Sequence, residues 1–476
     1  MKICVLQVDY STSTEDYRHY DPRRDLSPLL AGHRVDHVDL HKLTVYRQLK
    51  ALARDGYDIF VNLCEGYPEW DVPGIEVIDT LERLGLPYTG PTPELFDVPK
   101  ALMKYVANST DVGTPAHVIV TQGDQIESAI GHLRFPLFIK PAHAGDSRGV
   151  DQHSLAHHVD EALSKAAAIV AEFGEALIEE YIDGREFTVL VVAGADEGEP
   201  ATALTPVEFI FPAGYQFKTY ELKTSELHPE SNIPVRDAEL AARLKDAAVR
   251  VFTTFGGVGY ARMDFRLDSA GKLYFLELNF TCSVFYTDGW DGSADYILKY
   301  DPMGAAGFAE RIIAEGLARY RRKQNPYVVR GNSVAGYGIF ANRDIANGGL
   351  VFRGEGRTQR IVTRRHVATW SADEQRMFYR YGYPLSEEVF MLWDRDPAQW
   401  APQNHSCEAN TQFEGLDVVA SRAIRHGEEL TLDYATFMNE VSEPFACTCG
   451  ASSCRGTVSG TPGNSVTMRE RARRTK

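Results

Sequence analysis

The feature that most constrains the fold of this chain is a change of pattern near residue 325. Before it, short apolar runs alternate with helical stretches, which is typical of an α/β layer. The last of these helices ends in Arg321-Arg322-Lys323 and is followed by Asn325-Pro326, which are helix-stop signals. Beyond it, brief strand-like runs broken by Gly and Asn predict a mostly β domain. A chain of 476 residues is too long for one core, so we predict a domain boundary near residue 325.

Charge is distributed unevenly between the two parts of the chain. The formal net charge is -16, yet the residues from Pro326 onward hold 18 Lys and Arg against 17 Asp and Glu. The acidity therefore belongs to the first part of the chain. A neutral second part without basic patches gives little reason to expect direct binding of nucleic acid. Its basic end, residues 469–476, is typical of a solvated tail.

The composition is that of a globular protein, with 44% hydrophobic and 24% charged residues. No run approaches the roughly 20 apolar residues of a membrane helix. Met1 begins a strand-like segment rather than a cleavable signal. We therefore expect a cytoplasmic protein without a membrane partner. Seven cysteines, an odd number, argue against a disulfide framework in such a protein.

A β-hairpin about Ala270-Gly271 carries the most informative pattern of the first part. Counting outward from the turn predicts three cross-strand pairs: Asp268 with Leu273, Arg266 with Phe275, and Asp264 with Glu277. Period two places Asn279 on the face of Glu277, and Arg262 on that of Asp264. Two opposed carboxylates repel, so the arrangement favours a cation, and three oxygen ligands beside an arginine suit Mg²⁺ with phosphate. The alternative is a solvated face on an ordinary hairpin.

Three further segments are consistent with nucleotide binding. An apolar strand ends in Lys140 and is followed by a loop of small residues, 144–149, whose N–H groups are suited to phosphate. A second apolar strand, 177–182, precedes a turn at Asp183-Gly184. Glu186 then follows as a carboxylate suited to ribose hydroxyls.

In this order the motifs resemble the ATP-grasp superfamily, and within it the D-alanine–D-alanine ligase-like branch, over about residues 55 to 290. The resemblance also rests on the segments 62–66, 86–90 and 100–104 and on Lys223. It implies that ATP is bound by residues Lys104, Lys140, Ser147, Glu179, Glu180, Tyr181, Ile182, Glu186 and Lys223. It further implies that Asp264, Glu277 and Asn279 ligate Mg²⁺, and that Arg262 stabilises the tetrahedral intermediate. The implied reaction forms an acyl phosphate that an amine attacks.

Several positions depart from the D-alanine ligase pattern. The loop after Asn279, which in those enzymes holds the acceptor's carboxylate, is Phe280-Thr281-Cys282-Ser283-Val284 here. Asp146 replaces a serine of the phosphate loop, and Thr224 stands where a tyrosine is usual. The early glutamate motif for the first amino acid is not recognisable. We therefore predict ATP activation with an amino acid or peptide other than D-alanine as substrate.

Cysteines crowd the end of the chain. Cys447, Cys449 and Cys454 lie within eight residues, which suits one tetrahedral Zn²⁺, and Cys407 is the candidate fourth ligand. The alternative is a set of reduced thiols without metal.

Four motifs of the second part, in order, resemble SET-domain protein lysine methyltransferases with a post-SET zinc element, over about residues 328 to 457. They are residues 336–341, 403–410, 427–434 and the late cysteines. The resemblance implies that Gly336, Tyr337, Gly338, Asn404 and His405 contact S-adenosylmethionine, and that Tyr434 lies beside the reacting amine. It also implies zinc at Cys407, Cys447, Cys449 and Cys454. Taken alone, Tyr434 is equally explained as a buried strand tyrosine.

Two departures accompany this resemblance. Ala409 replaces an expected proline, and no cysteine cluster precedes the domain, so a histone-specific surface is not implied.

Together these motifs predict four segments: an α/β pre-ATP-grasp domain (1–95), an α+β ATP-grasp ligase domain (96–325), a mostly β SET and post-SET domain (326–460) and a basic tail (461–476). The predicted protein is a bifunctional ligase and methyltransferase. Its expected partners are a small amino acid or peptide and a lysine-containing peptide or protein, with a homodimer left open. Two alternatives remain: a methyltransferase with a nucleotide-regulated recognition module, and a non-enzymatic scaffold that binds lysine.

Overall fold

The computed structural model describes residues 1–15, 19, 21–143, 147–195, 198–219, 231–332, 336–354, 359–393 and 403–465. The chain forms two compact units, Met1–Arg321 and Arg322–Lys476. The four predicted segments with their boundaries at 95, 325 and 460 stay a prediction. None of the helices within the described ranges is long and apolar enough to cross a bilayer.

The helices of the first unit surround three sheets. They are α1 Val45–Leu52, α2 Ile75–Arg83, α3 Pro93–Phe96, α4 Lys100–Ser109, α5 Ile126–Ile130, α6 Val159–Phe173, α7 Ala238–Thr254, α8 Ser293–Tyr300 and α9 Gly304–Lys323. Short 3-10 turns cover Lys42–Thr44 and Gln152–Ser154. The long helix α7 illustrates how the sequence determines where a helix begins and which face it buries. Asp237 caps its first turn by accepting from the N–H groups of Glu239 and Leu240. Its buried residues recur at helical spacing from Leu240 to Phe252.

The first sheet is parallel, as the alternation of the first residues predicts. Its strands are β1 Lys2–Val8, β2 Arg34–Leu40 and β3 Ile59–Asn62, in the order β2-β1-β3. The interior of β1, Ile3 to Leu6, is completely buried. Parallel strands covered on both faces favour such continuous apolar runs.

The second sheet contains four antiparallel strands, β4 His117–Thr121, β5 Leu137–Pro141, β6 Leu155–Ala156 and β7 Glu175–Glu180, in the order β4-β7-β5-β6. Helix α6 covers it with Ala162, Ala166 and Ile169, spaced three and four residues apart. The helix ends at Gly174, whose φ of 83° is a conformation that glycine adopts easily.

The third sheet contains β8 Gly184–Val192, β9 Thr202–Ala203, β10 Val207–Phe209, β11 Asn232–Pro234, β12 Tyr260–Asp268 and β13 Leu273–Asn279. The main order is β11-β10-β8-β12-β13, and β9 pairs with β8. Helix α7 packs on this sheet in a common apolar core that includes Leu244, Val251, Phe265 and Phe275.

The hairpin of β12 and β13 forms at the predicted turn, but its register is only partly as predicted. Asp264 lies opposite Glu277, as expected. The other two predicted pairs are wrong: Arg266 faces Tyr274 instead of Phe275, and Leu267, not Asp268, faces Leu273.

A β-bulge at Leu276 causes this difference. Asp264 and Phe265 are consecutive in β12, whereas their partners Glu277 and Phe275 are separated by Leu276 in β13. The extra residue shifts the register by one between the turn and the carboxylates. Without it, the register near the turn would place Leu276 rather than Glu277 opposite Asp264. The bulge therefore aligns the two carboxylates.

The second unit is mostly β, as its sequence predicts. Its main sheet contains β14 Tyr327–Asn332, β15 Gly336–Ala341, β16 Leu350–Phe352, β20 Asn404–His405, β21 Thr411–Glu414, β22 Asp417–Ala420 and β23 Glu429–Leu432. The order is β14-β15-β23-β21-β22-β16, with β20 parallel to β23. Ile339, Leu430 and Leu432 belong to its buried core.

Smaller elements complete this unit. A three-stranded sheet joins β17 Gln359–Thr363, β18 Tyr383–Pro384 and β19 Val389–Trp393, accompanied by helices α10 Arg364–Val367 and α11 Ala372–Tyr381. A 3-10 turn covers Tyr434–Thr436, and a short hairpin pairs β24 Phe445–Ala446 with β25 Thr457–Val458.

Candidate active sites in the two units

The first unit contains an open cleft between its second and third sheets. The cleft is lined by residues from β5, from the end of β7, and from β8, β12 and β13. Its lining includes nine of the predicted site residues: Lys140, Ser147, Glu179, Glu180, Tyr181, Ile182, Glu186, Asp264 and Glu277. The strand order of two separate sheets therefore brings together residues that lie far apart in sequence.

Two lysines converge on one buried carboxylate in this cleft. Lys104 Nζ of α4 lies 2.5 Å from Glu179 Oε2, and Lys140 Nζ of β5 lies 2.8 Å from Glu179 Oε1. Burial opposes ionisation of Glu179, but the two lysines outweigh it and lower the pKa of the carboxyl to about 2. Lys140 and Glu179 line the cleft, whereas Lys104 is completely buried behind Glu179 and is not part of the lining.

The segment Glu180–Ile182 forms one end of the cleft. Arg134 holds the Glu180 carboxylate through its Nε and NH2 atoms, with NH2 2.7 Å from Oε2. The Tyr181 hydroxyl donates to the carbonyl of Gln216 at 2.9 Å. Its ring lies 6.5 Å from that of Phe217. Aromatic walls of this kind suit a planar base.

Sequence reasoning missed two cations beside Glu186. Lys218 Nζ lies 3.0 Å from Glu186 Oε1, and Arg266 NH2 lies 3.0 Å from Oε2. Arg266 also donates to the carbonyl of Ile182 at 2.8 Å. Burial raises the pKa of Glu186, yet the two cations outweigh it and lower the pKa below the ordinary value. The period of β12 places Arg266 on the face of Asp264, which is the signal that would have found it.

The candidate magnesium ligands are only partly assembled. Asp264 Oδ1 is buried without a hydrogen-bond partner, which is the environment of a ligand oxygen rather than of a solvated face. Asp264 and Glu277 both line the cleft. Asn279 is engaged otherwise, because its Oδ1 accepts from the N–H and the hydroxyl of Thr281 at 2.7 and 3.0 Å. Asp264 and Glu277 therefore fit a metal site in which each provides one carboxylate oxygen.

Arg262 lies beside these carboxylates. Its NH2 atom is 3.5 Å from Asp264 Oδ2, and the side chain is 15% exposed. Two predicted features fall outside the described residues: Lys223 and residues 144–146 of the phosphate loop, including Asp146. Thr224 also lies outside them.

The loop after Asn279 is tied to the first sheet. The Ser283 hydroxyl donates to the carboxylate of Glu65. Arg24, which is 2% exposed, donates to the carbonyls of Val284 and Leu63 at 3.1 Å each. Cys282 is buried, and burial raises the pKa of its thiol to about 12.

The second unit has its own site at the ends of β15, β20 and β23. Gly336, with a φ of 86°, begins strand β15, whose first three residues are Gly336-Tyr337-Gly338. A Cβ atom at Gly338 would lie 2.9 Å from Asn404 Nδ2 and closer still to Glu429. This close approach requires glycine.

Tyr434 lies next to His405 in this unit. Its hydroxyl donates to the carbonyl of Gln403 at 2.5 Å, and its ring is 5.5 Å from that of His405 and 5.4 Å from that of Phe437. Burial raises the pKa of the Tyr434 hydroxyl well above its ordinary value. The side chain is therefore a neutral hydrogen-bonding group in an aromatic setting.

Four possible metal ligands gather near it. One ligand atom each of His405, Cys407, Cys447 and Cys449 lies within 4.8 Å of the others. The N–H of Cys407 donates to Cys449 Sγ, and this bond lowers the pKa of Cys449 to about 6. The exposed Cys454 places its Sγ 3.8 Å from the carbonyl of Cys447. Soft thiolates in this number suit Zn²⁺.

Hydrogen bonding of the His405 ring bears on which side chain is the fourth ligand. The backbone N–H of Tyr434 donates to His405 Nδ1 at 3.2 Å, so this nitrogen carries no proton. A neutral imidazole then holds its proton on Nε2, which faces Cys407 Sγ at 3.4 Å. A protonated nitrogen donates and does not ligate. His405 belongs to the set of gathered ligand atoms and Cys454 does not, so Cys454 as the fourth ligand stays a prediction that this hydrogen bond supports.

Comparisons with known proteins match one family in each unit. Residues 106–285 match the family described as D-ala D-ala ligase C-terminus, and residues 336–435 match the SET domain. A D-alanine–D-alanine ligase of Bordetella petrii is 33% identical over 250 residues, which are 51% of this chain and 72% of that protein. An uncharacterized protein, y4sG, of Sinorhizobium fredii is 34% identical over 239 residues, covering 48% and 66% of the two chains.

Among solved structures, D-alanine–D-alanine ligase from Bacillus anthracis complexed with ATP matches 68% of this chain and all of its own, with a TM-score of 0.50 and 19% identity. This likeness shows the ATP-grasp fold. The chain therefore belongs to the D-alanine–D-alanine ligase family of ATP-grasp proteins, and it carries a SET domain in its second unit.

Proposed function

We propose that this protein is a bifunctional enzyme. Its first unit is an ATP-dependent carboxylate–amine ligase, and its second unit is an S-adenosylmethionine-dependent lysine methyltransferase. The observation that carries the ligase proposal is one cleft lined by Lys140 and the opposed pair Asp264 and Glu277, with Lys104 buried against the lining residue Glu179. Such a set serves phosphoryl transfer, which needs positioning and charge neutralisation more than acid–base groups.

The ligase reaction has two steps. A carboxylate oxygen of the first substrate attacks the γ-phosphorus of ATP, and ADP leaves with the bond electrons. The amine of the second substrate then attacks the carbonyl carbon, inorganic phosphate leaves, and the amine proton passes to solvent. Lys104 and Lys140 bind the phosphates, Lys223 adds a third ammonium group, and Arg262 stabilises the oxyanion formed in the second step.

Asp264 and Glu277 would hold Mg²⁺, which neutralises phosphate charge when it is bound. Asn279 stays a predicted third ligand, and its oxygen also accepts from Thr281. Glu186 accepts from the ribose hydroxyls and keeps its charge because Lys218 and Arg266 favour the ionised form. Residues 180–182 contact the base. Ser147, with Arg148 in the cleft lining, lies at the phosphate loop.

The substrate is an amino acid or peptide other than D-alanine. The loop 280–284 replaces the segment that holds the acceptor's carboxylate in D-alanine ligases. Here Ser283 donates to Glu65, and Phe280, Cys282 and Val284 are buried. A hydroxyl already bound to a carboxylate is poorly placed to receive a second one.

ADP release tests this proposal. The full-length chain is incubated with ATP, Mg²⁺ and single amino acids or dipeptides, and ADP is measured with and without each candidate. The proposal expects ADP formation that depends on a substrate other than D-alanine, and that Lys140→Met abolishes. Preference for D-alanine would refute the substrate proposal. Nucleotide binding without any substrate-dependent ADP would favour the recognition-module alternative.

In the second unit, Asn404 and the first residues of β15, 336–338, hold the methyl donor. Tyr434 orients a lysine amine. The amine nitrogen attacks the donor's methyl carbon, the carbon–sulfur bond breaks, and the nitrogen loses a proton. An apolar channel lowers the pKa of the lysine so that the attacking amine is neutral. Cys407, Cys447, Cys449 and Cys454 would hold Zn²⁺, and the bound metal would stabilise the end of the unit beside Tyr434.

Labelled-methyl transfer to a lysine-peptide pool tests the second activity. The proposal expects label on lysine that Tyr434→Phe removes. Binding of lysine peptides without transfer would favour the non-enzymatic scaffold. A cytoplasmic location, the absence of nucleic-acid and membrane partners, and a homodimer stay predictions.

One chain with both activities is consistent with a shared substrate or pathway, since a tether raises effective concentration. Separated units that act on unrelated substrates at undiminished rates would contradict this coupling.

A further inference from the structure

One loop of the first unit contacts two other loops that the proposed ligase reaction uses. This loop, residues 65–70 (the β3 loop), follows strand β3. Glu65 accepts from the hydroxyl of Ser283, which lies in the loop that replaces the acceptor-carboxylate segment of D-alanine ligases. Glu69 Oε1 accepts from Arg148 NH1 at 2.5 Å, and Arg148 belongs to the phosphate loop and lines the cleft. The β3 loop therefore bridges the two loops that serve the two steps of the reaction.

Arg148 is held by more than one ion pair. Its guanidinium carbon lies 5.7 Å from the centre of the Tyr67 ring and 5.8 Å from that of Trp70. These two rings meet edge-on, with their centres 4.7 Å apart. The exposed fraction of the Arg148 side chain is 29%, against 56% for Glu69. An exposed ion pair contributes little by itself, but two aromatic rings add cation–π attraction and shield the guanidinium from water.

The β3 loop is in turn fixed to segments beside the first sheet. Lys42 Nζ donates to the carbonyls of Pro68 and Trp70 at 2.8 and 2.6 Å. The next residue, Asp71, accepts from the hydroxyl of Ser13 at 2.5 Å. Backbone carbonyls held in this way give the loop a defined position. The contact with Arg148 therefore ties the phosphate loop of the second sheet to the first sheet.

The proposed acyl phosphate has two possible fates. Attack by the amine gives the amide product. Attack by water at the carbonyl carbon breaks the bond to the phosphate oxygen, inorganic phosphate leaves, a proton passes to solvent, and the first substrate returns as its carboxylate. ATP is then consumed without ligation. Exclusion of water from a closed site prevents such side reactions.

We propose that Glu69 and Arg148 form a latch that holds the phosphate loop against the β3 loop and keeps water from the acyl phosphate. Glu69 is a positioning residue, because it acts through Arg148. The latch serves the coupling of ATP consumption to amide formation rather than the phosphoryl transfer itself. This inference rests on the proposed ligase function.

The test compares ADP with amide product in one reaction. The full-length chain is incubated with ATP, Mg²⁺ and a mixture of the standard L-amino acids and their dipeptides. ADP is measured enzymatically, and amides are measured by mass. The wild-type chain should form ADP and amide in equal amounts. Glu69→Gln should form about threefold more ADP per amide, and Glu69→Lys, which repels Arg148, should form more still.

Glu310→Gln is the matched control, since it removes a half-exposed carboxylate from an ion pair with His33 outside the cleft lining. It should keep the wild-type ratio. Tyr67→Leu, which removes one ring beside Arg148, should also raise the ratio and provides a second variant if a Glu69 variant fails to fold, as judged by its thermal transition. A merely structural role would change the rate or the stability and leave the ratio at the wild-type value.

Equal amounts of ADP and amide in the folded variants would overturn the latch and leave the proposed ligase standing. A wild-type chain that already forms ADP in large excess over amide would also overturn the latch. Absence of substrate-dependent ADP in the wild-type chain would overturn the proposed ligase, and the latch with it.

Discussion

Asp264 and Glu277 lie directly opposite each other on adjacent antiparallel strands, and a bulge at Leu276 brings them into that register. Two like charges at such positions repel. One oxygen of Asp264 is also buried without a hydrogen-bond partner. The proposed cation, bound by both carboxylates, would offset their repulsion and so accounts for a bulge that brings them together.

The first prediction concerns these two carboxylates. Asp264→Asn should lower Mg²⁺-dependent ADP formation by about 100-fold or more, because a ligand for the phosphate-bound metal is lost. Without Mg²⁺, the same variant should unfold at a higher temperature than wild type, because the repulsion is relieved. Steady-state kinetics and thermal unfolding measure the two effects. Asp246→Asn, which alters an exposed ion pair with Arg250, is the control and should change neither quantity. Loss of stability together with unchanged kinetics would argue for an ordinary hairpin.

The second prediction concerns Glu179, which lies between Lys104 and Lys140. Glu179→Gln leaves two buried ammonium groups without their carboxylate and should destabilise the first unit by about 3 to 5 kcal/mol. Urea unfolding monitored by a probe in this unit measures the change. Glu175→Gln, which removes an exposed carboxylate from the same strand, should cost far less.

A pH dependence follows from the same ion pairs. The pKa of Glu179 is about 2 in the folded chain and 4.5 ordinarily. Because the folded pKa is depressed, this stabilisation is fully present above about pH 4.5 and is lost as the pH falls towards 2. The difference in unfolding free energy between wild type and Glu179→Gln should therefore shrink between pH 5 and pH 3. A difference that stays constant over this range would show that the carboxylate is not stabilised by the lysines.

The zinc site gives the third prediction. Cys407→Ser and Cys454→Ser should each lose most bound zinc and lower the melting temperature of the second unit, because a structural site needs all four ligands. His405→Gln should retain zinc, since His405 Nδ1 accepts from the N–H of Tyr434. Metal analysis by mass spectrometry measures the stoichiometry, with Cys4→Ala as a control in the first unit. Zinc loss in His405→Gln and retention in Cys454→Ser would reverse the ligand assignment.

Tyr434 provides the fourth prediction. Tyr434→Phe should leave zinc content unchanged and cost about 1 kcal/mol of stability, the value of the hydrogen bond to the carbonyl of Gln403. Methyl transfer should nevertheless fall by about 100-fold or more, since the amine loses its orienting group. Labelled-methyl transfer and thermal unfolding are the measurements. Unchanged transfer would reduce Tyr434 to a packing residue.

The sequence predicts well those features that depend on local period and composition. The parallel sheet follows from apolar runs such as Ile3 to Val8, and the opposition of Asp264 and Glu277 follows from counting along the hairpin. The remaining pairs were wrong because a bulge adds one residue to a single strand, and no local pattern marks it. The correct pair was obtained only because the bulge shifts the register back into line with the count.

Contacts between distant segments were beyond such reasoning. Lys218, from the segment after β10, reaches Glu186 of β8, and Glu429 of β23 reaches Asn404 of the neighbouring strand β20. Neither residue stands in a motif whose spacing specifies its partner. Asn279 was predicted as a ligand, but its oxygen is taken by Thr281 two residues later. Local hydrogen bonding to nearby backbone competes with distant roles for such side chains.

The central claim is that one chain joins substrates with ATP and methylates an amine. The most direct measurement is mass analysis after incubating the full-length protein with ATP, Mg²⁺, S-adenosylmethionine labelled on the methyl group, and a pool of amino acids and lysine peptides. The account predicts amide products that each lack one water, ADP in equal amount, and label on an amine. Unchanged substrates with neither ADP nor label would contradict it.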